Sequence, residues 1–202
     1  MGILRKATDQ ILDKLIEQSR MPSGFLGKTM LSIMNKAHNG MTMWGISQLK
    51  SGERVLDVSC GGGNAIGLLA AKKLYNTVYG IDYSADAVAM ARKYNKAFVE
   101  AGTVIIEQAS VLNLPFEDSY FDAVTTFQSH YHWPDIEDAM REVRRVLKPG
   151  GVFVLVSEIY KIQYHMNVYN TEELTKELFL KSGFQNVNLM KQPGCICVIG
   201  GK

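Results

Sequence analysis

Cysteine is scarce. Three residues, Cys60, Cys195 and Cys197, are an odd number with no disulfide framework. The Cys195/Cys197 pair has no second Cys/His cluster to complete a metal site. Small buried hydrophobes in a reducing, cytoplasmic setting are the expectation, with no metal. Neither sign of charge dominates: 22 Lys and Arg against 20 Asp and Glu leave a formal net charge of +2. That balance argues against a nucleic-acid or membrane-surface protein. No apolar run reaches about 18 residues, so no membrane span is expected. The opening stretch MGILRKATDQILDKLIEQSR carries charges throughout and lacks the apolar core of a secretory signal. No GxxxxGK[ST] occurs. A GxGxxG beginning at Gly61 would need glycine where Ile66 stands, so phosphate-loop and dinucleotide sites are poorly matched.

What is present is enough apolar residue, 47% of the 202, for one domain with a sizeable core. Residues 1–50 read as a helical cap. Leu4, Ala7, Ile11, Leu12, Leu15 and Ile16 fall at helical spacing, and Pro22, Ser23 and Gly24 break the pattern. Residues 28–50 read as two helices parted near Asn39-Gly40. From residue 51 the pattern changes. RVLDV, NTVYGID, TVIIEQ, FDAVTTF and GVFVLVSE are short β-rich runs, with helical stretches at 64–74, 84–101 and 135–147 between them. Such alternation predicts a parallel α/β sheet covered on both faces. LKPGG closes the third of these helices. Ser84 and Thr171 are placed as helix caps. A turn at Gln192-Pro193-Gly194 makes a hairpin of the last two strands, NVNLMK and CICVIG. The prediction is therefore seven strands, the last antiparallel.

One strand end holds the chemistry. DVSCGGG follows the first apolar run, and YGIDYS follows the next, with Asp82 nineteen residues after Gly63. A strand, glycine turn and helix present main-chain N–H groups to a ligand, and an acid closing the adjacent strand can bind ribose hydroxyls. DVSCGGG resembles the first motif of class I S-adenosylmethionine-dependent methyltransferases, D/E-x-G-x-G-x-G. YGIDYSADAVAMAR, EQASVLNLPFEDSYFDAV, TTFQSHYHWPD and REVRRVLKPGG resemble the four motifs that follow, in order, and the nearest likeness is to methyltransferase type 11 proteins. The resemblance covers roughly residues 40–200 and implies a Rossmann-like methyltransferase fold. It also implies a cofactor site. Asp57 anchors the loop or the methionine amine; Ser59, Cys60, Gly61 and Gly63 line methionine and ribose; Asp82 takes the ribose hydroxyls. Tyr83 packs on adenine, Ser110 and Val111 stand at the adenine contact, and Phe127 and Gln128 flank the sulfonium. Ser59 and Ser110 replace the usual glycine and aspartate.

Methyl displacement from a sulfonium requires alignment and water exclusion rather than a protein nucleophile. A proton acceptor helps only where the acceptor group holds its proton tightly. His130 and His132, in QSHYHWPD, are the candidates, and an extended segment would point both the same way. The connection after the fifth strand, EIYKIQYHMNVYN, is short, so the N-terminal segment or a second subunit, as in a homodimer, must cover the cleft. The [DN]PP[YF] signature of base-modifying relatives is replaced by TFQS, and no basic stripe is interleaved with aromatics. The expected acceptor is a small molecule. Two alternatives stay open: a non-catalytic binder with a degenerate cofactor site, and an oxidoreductase on a similar fold.

Overall fold

The computed structural model describes residues 38–202. The expected helix over residues 4–16 and the break at 21–27 lie outside the described residues. Helix α1 (Asn39–Ile46) leads into β1 (Gly52–Val58), α2 (Asn64–Lys72) and β2 (Tyr75–Asp82). Then come α3 (Ala85–Tyr94), α4 (Lys96–Glu100), β3 (Val104–Gln108) and β4 (Phe121–Phe127). After them follow α5 (Ile136–Val146), β5 (Leu147–Glu158), α6 (Ile159–His165), α7 (Glu172–Lys181), β6 (Gln185–Gln192) and β7 (Cys195–Gly201). The seven strands form one sheet in the order β3-β2-β1-β4-β5-β7-β6. All pairings are parallel except those of β7, which runs antiparallel to both β5 and β6.

The central strands are buried on both faces, which is why they read as continuous apolar runs. Alternate side chains feed two cores. Leu56, Val58, Val124, Phe153 and Leu155 pack with α5 and α7 residues such as Val143 and Phe179. Val55, Val78, Ala123, Val154 and Val156 pack with Ile46 of α1, Ile66 and Leu69 of α2 and Ala91 of α3. The hairpin, the antiparallel last strand and the caps hold as expected. Ser84 accepts from the Ala87 amide at 3.3 Å, and Thr171 accepts from the Leu174 amide at 3.2 Å.

Three local expectations change. The helix read over 84–101 is interrupted at Asn95, because that buried amide donates to the carbonyls of Gly63 (2.9 Å) and Ala91 (3.0 Å). The pull of the glycine turn on Asn95 outweighs local helix propensity. LKPGG does follow the helix end at Val146, but it is strand rather than turn: Leu147 already pairs with Phe121, and β5 starts there with an irregularity before Val152 pairs with Ala123. IYKIQYH is helical as α6 rather than a bare connection. A helix does start at Asn39-Gly40, as the expected break there requires; the helix expected before it lies outside the described residues.

Candidate active site

From β1 the chain moves outward to β2 and β3, then returns to β4 on β1's other side. That reversal opens a crevice beyond the carboxyl ends of β1 and β4, where doubly wound sheets bind ligands. The chain leaving β1 fills its floor with main chain. Ser59 (φ 58°), Gly61 (φ 53°) and Gly63 (φ 81°) take left-handed conformations at every second residue. Gly63 cannot be replaced without collision: a Cβ there would lie 2.6 Å from Asn95 Nδ2 and 2.8 Å from the Ala91 Cβ.

Two carboxylates bracket this turn. Asp57, at the end of β1, is 2% exposed and accepts from the Thr125 hydroxyl at 2.8 Å. Burial pushes its pKa up to about 7, the Thr125 bond opposes the rise, and the charge of Asp82 adds to it. Asp82, at the end of β2, accepts from the Gly61 amide (Oδ2, 2.9 Å) and the Ser84 amide (Oδ1, 2.9 Å). Burial raises its pKa too, against those bonds. A carboxylate offers about four lone-pair positions, so Asp82 keeps about two for a ligand while clamping the loop.

A cavity of about 60 Å³ lies over the turn. Of the expected residues, Asp57, Ser59, Cys60, Phe127 and Gln128 line it. The Cys60 thiol, buried and held protonated by desolvation, joins the α2-side core, and its amide bonds the Ile81 carbonyl at 2.9 Å. Gln128 is fixed from three sides: its Nε2 donates to Met41 Sδ (3.2 Å), and its Oε1 accepts from the Glu158 amide (3.3 Å) and the Tyr131 hydroxyl (3.4 Å). Tyr83 stands exposed next to Asp82, with its carbonyl bonded by Gln108 Nε2 at 2.9 Å. Ser110 turns its hydroxyl to the Leu112 amide at 3.2 Å, and the Val111 side chain is buried in the opposite core.

His130 and His132 are not brought into this cavity. Residues 130–132 form a 3₁₀ turn, not an extended segment, so side chains two apart diverge by about 120°. His130 is 1% exposed, with Nδ1 3.0 Å from the Ser157 hydroxyl and Nε2 without a partner among the described residues. Burial lowers its pKa to about 3. His132 packs edge-on against Tyr131 and His165, with both ring centroids 4.6 Å away.

The cavity also holds residues outside the expected cofactor and catalytic set: His38, Thr42, Asn64 and Ala65. His38 Nε2 lies 3.2 Å from Lys161 Nζ and 3.7 Å from Glu158, and Lys161 pairs with Glu158 at 2.8 Å. Burial and Lys161 lower the His38 pKa, so the imidazole is neutral and its Nε2 accepts from the ammonium. These partners lie more than a hundred residues apart, and no local pattern links them. Asn64 donates to Asn39 at 2.7 Å, which ties α1 across the mouth of the turn.

Among the described residues, no group of three or more His, Cys, Asp or Glu is placed to hold a metal, and no helix is long and apolar enough to cross a membrane.

Residues 56–155 match a family model described as a methyltransferase domain. Among curated proteins the chain is 29% identical over 155 residues to (+)-O-methylkolavelool synthase of Herpetosiphon aurantiacus, covering 70% of this chain and 54% of that protein. It is 33% identical over 145 residues to botryococcene C-methyltransferase of Botryococcus braunii, covering 72% and 38%. It is 37% identical over 107 residues to 2-phytyl-1,4-naphtoquinone methyltransferase of Nostoc punctiforme, covering 52% and 46%. The chain thus spans about half the length, or less, of these relatives. In fold it is similar to a SAM-dependent methyltransferase from Aquifex aeolicus, with TM-score 0.70 at 15% identity over 86% of this chain and 97% of that one. A matching domain model over the strands that carry the site, relatives named as methyltransferases and the shared fold agree with the motifs, and this chain belongs to the class I S-adenosylmethionine-dependent methyltransferases.

Proposed function

We propose that this chain transfers a methyl group from S-adenosylmethionine to a small, largely apolar acceptor. The observation that carries the reading is the pair of carboxylates closing adjacent parallel strands, Asp57 and Asp82, with the main chain of 59–63 between them and Gly61 N–H bonded to Asp82. The donor set fits the cofactor. Asp57 is a buried carboxyl lining the cavity, suited to an ammonium once ionised; the left-handed 59–63 main chain lets a ligand approach closely; Asp82 retains lone pairs for a diol. When bound, the cofactor supplies an electrophilic methyl on a cationic sulfur.

The chain's own part is alignment and exclusion of water. Phe127 and Met41 give the acceptor side an apolar surface, and Gln128, held by three hydrogen bonds, keeps a fixed shape there. His38 stands in the cavity wall with its Nε2 lone pair held by the Lys161 ammonium, so it shapes and polarises the wall rather than taking a proton from the acceptor. The named relatives act on botryococcene and 2-phytyl-1,4-naphtoquinone, which supports an apolar acceptor here. Three free cysteines fit a cytoplasmic setting, and the charge balance fits a protein that does not bind nucleic acid. A homodimer would serve to complete the cover of the cleft.

The test is calorimetric titration with S-adenosylhomocysteine beside NAD⁺, followed by mass spectrometry of methyl transfer to a panel of isoprenoid and quinol acceptors. Binding of S-adenosylhomocysteine alone is expected. A preference for NAD⁺, or no heat with either, refutes the cofactor assignment; binding without turnover on the whole panel refutes the apolar acceptor.

A further inference from the structure

Ser59 stands directly after β1 at φ 58°, a left-handed conformation that a side chain with a Cβ resists. Its hydroxyl accepts a 2.9 Å hydrogen bond from the indole N–H of Trp133. That indole is 8% exposed, belongs to the core packed under α5 and α7, and lies nearly parallel to the Phe153 ring. A buried indole N–H needs an acceptor, and here it takes one from the turn at the cavity floor rather than from the core around it. One step back, the Thr126 hydroxyl donates to the Val58 carbonyl at 3.1 Å, so the end of β4 and the segment after it together grip the end of β1 at two successive residues.

We propose that Trp133 is a positioning residue for the cofactor loop: its indole N–H holds Ser59 left-handed, so that the 59–63 main chain keeps its ligand-presenting shape before ligand arrives. Phenylalanine would fill most of the same space, so bulk alone does not account for the indole. The segment that ends in Trp133 also contributes Gln128 to the cavity wall. The hydrogen bond therefore joins the acceptor side to the cofactor side, and acceptor and cofactor influence each other's affinity through it. The inference rests on the cofactor reading of this site.

The test is a double-substitution cycle on the full chain, read as affinity for S-adenosylhomocysteine by calorimetry. Trp133→Phe and Ser59→Ala are each expected to weaken binding about fivefold, the worth of one neutral hydrogen bond, and the double variant no further. The indole N–H resonance of Trp133, distinguishable from that of Trp44 by its loss in Trp133→Phe, should move in Ser59→Ala and again on ligand binding. Native-like affinity of Trp133→Phe overturns the proposal. So does an undiminished loss when Trp133→Phe is added to Ser59→Ala, which would make the indole a packing residue only. A native protein that does not bind S-adenosylhomocysteine overturns the cofactor reading and the positioning role together; binding with no difference among variants overturns the positioning role alone.

Discussion

Replacing Asp57 with asparagine should stabilise the protein at alkaline pH and weaken its cofactor affinity. The carboxyl is 2% exposed, with the Thr125 hydroxyl as its hydrogen-bond donor, and burial raises its pKa from 3.8 to about 7. The folded chain holds this proton more tightly than the unfolded chain. The contribution to stability is therefore full below pH 3.8 and lost as pH rises through about 7. Three units correspond to about 4 kcal/mol at full ionisation. Relaxation and water entry around the anion reduce this to about 1–3 kcal/mol. Asparagine keeps an acceptor for Thr125 and never ionises. Native and Asp57→Asn proteins should thus differ least below pH 3.8, the gap should widen through pH 5, and the variant should melt roughly 4–8 °C higher at pH 8. His130 titrates in the opposite sense, its folded pKa of about 3 costing stability as pH falls below 6.5, but it is common to both proteins and cancels in the difference. Scanning calorimetry at these pH values gives the comparison. In the native protein, S-adenosylhomocysteine affinity should tighten between pH 6 and 8 as Asp57 ionises, and in Asp57→Asn it should be weak and flat. A melting difference that does not change between pH 5 and 8, or a native protein that is the more stable at pH 8, would refute the reasoning.

Asp82→Ala removes an anion bonded to the Gly61 and Ser84 amides; S-adenosylhomocysteine affinity measured by calorimetry should fall roughly 10- to 100-fold, since bonds to a charged group are worth about 1.5–3 kcal/mol. His130→Gln, which cannot charge, should flatten the loss of stability between pH 6.5 and 4 seen in thermal melts, while leaving the alkaline limb unchanged. Gly80→Ala would place a Cβ 2.1 Å from Ile66 Cδ1 at the back of the glycine turn. It should cost about 1–3 kcal/mol in urea denaturation, and Ile66→Val, which deletes that methyl, should recover much of the loss.

The relation of sequence to structure is uneven in an informative way. Strands announced themselves because each central one must be apolar on both faces, and the hairpin because Pro193-Gly194 can do little but turn. Both are local consequences of burial and backbone sterics. The carboxylate-closed strand ends and the glycine turn were legible for the same reason: each is set by a few consecutive residues. Helix interruption at Asn95 was not, because the cause is the Gly63 carbonyl, thirty-two residues away. The histidines were misjudged in orientation because a three-residue 3₁₀ turn has no periodic signature. The grouping of His38, Lys161 and Glu158 escaped notice because a cluster drawn from α1, β5 and α6 exists only once the sheet brings their ends together. Sequence by itself determined the order of strands and helices, the family and the two acids at the cleft. Tertiary structure alone decided the protonation of Asp57, the neutrality of His38 and His130, and the grip of Trp133 on Ser59, because these depend on desolvation and on contacts between distant segments.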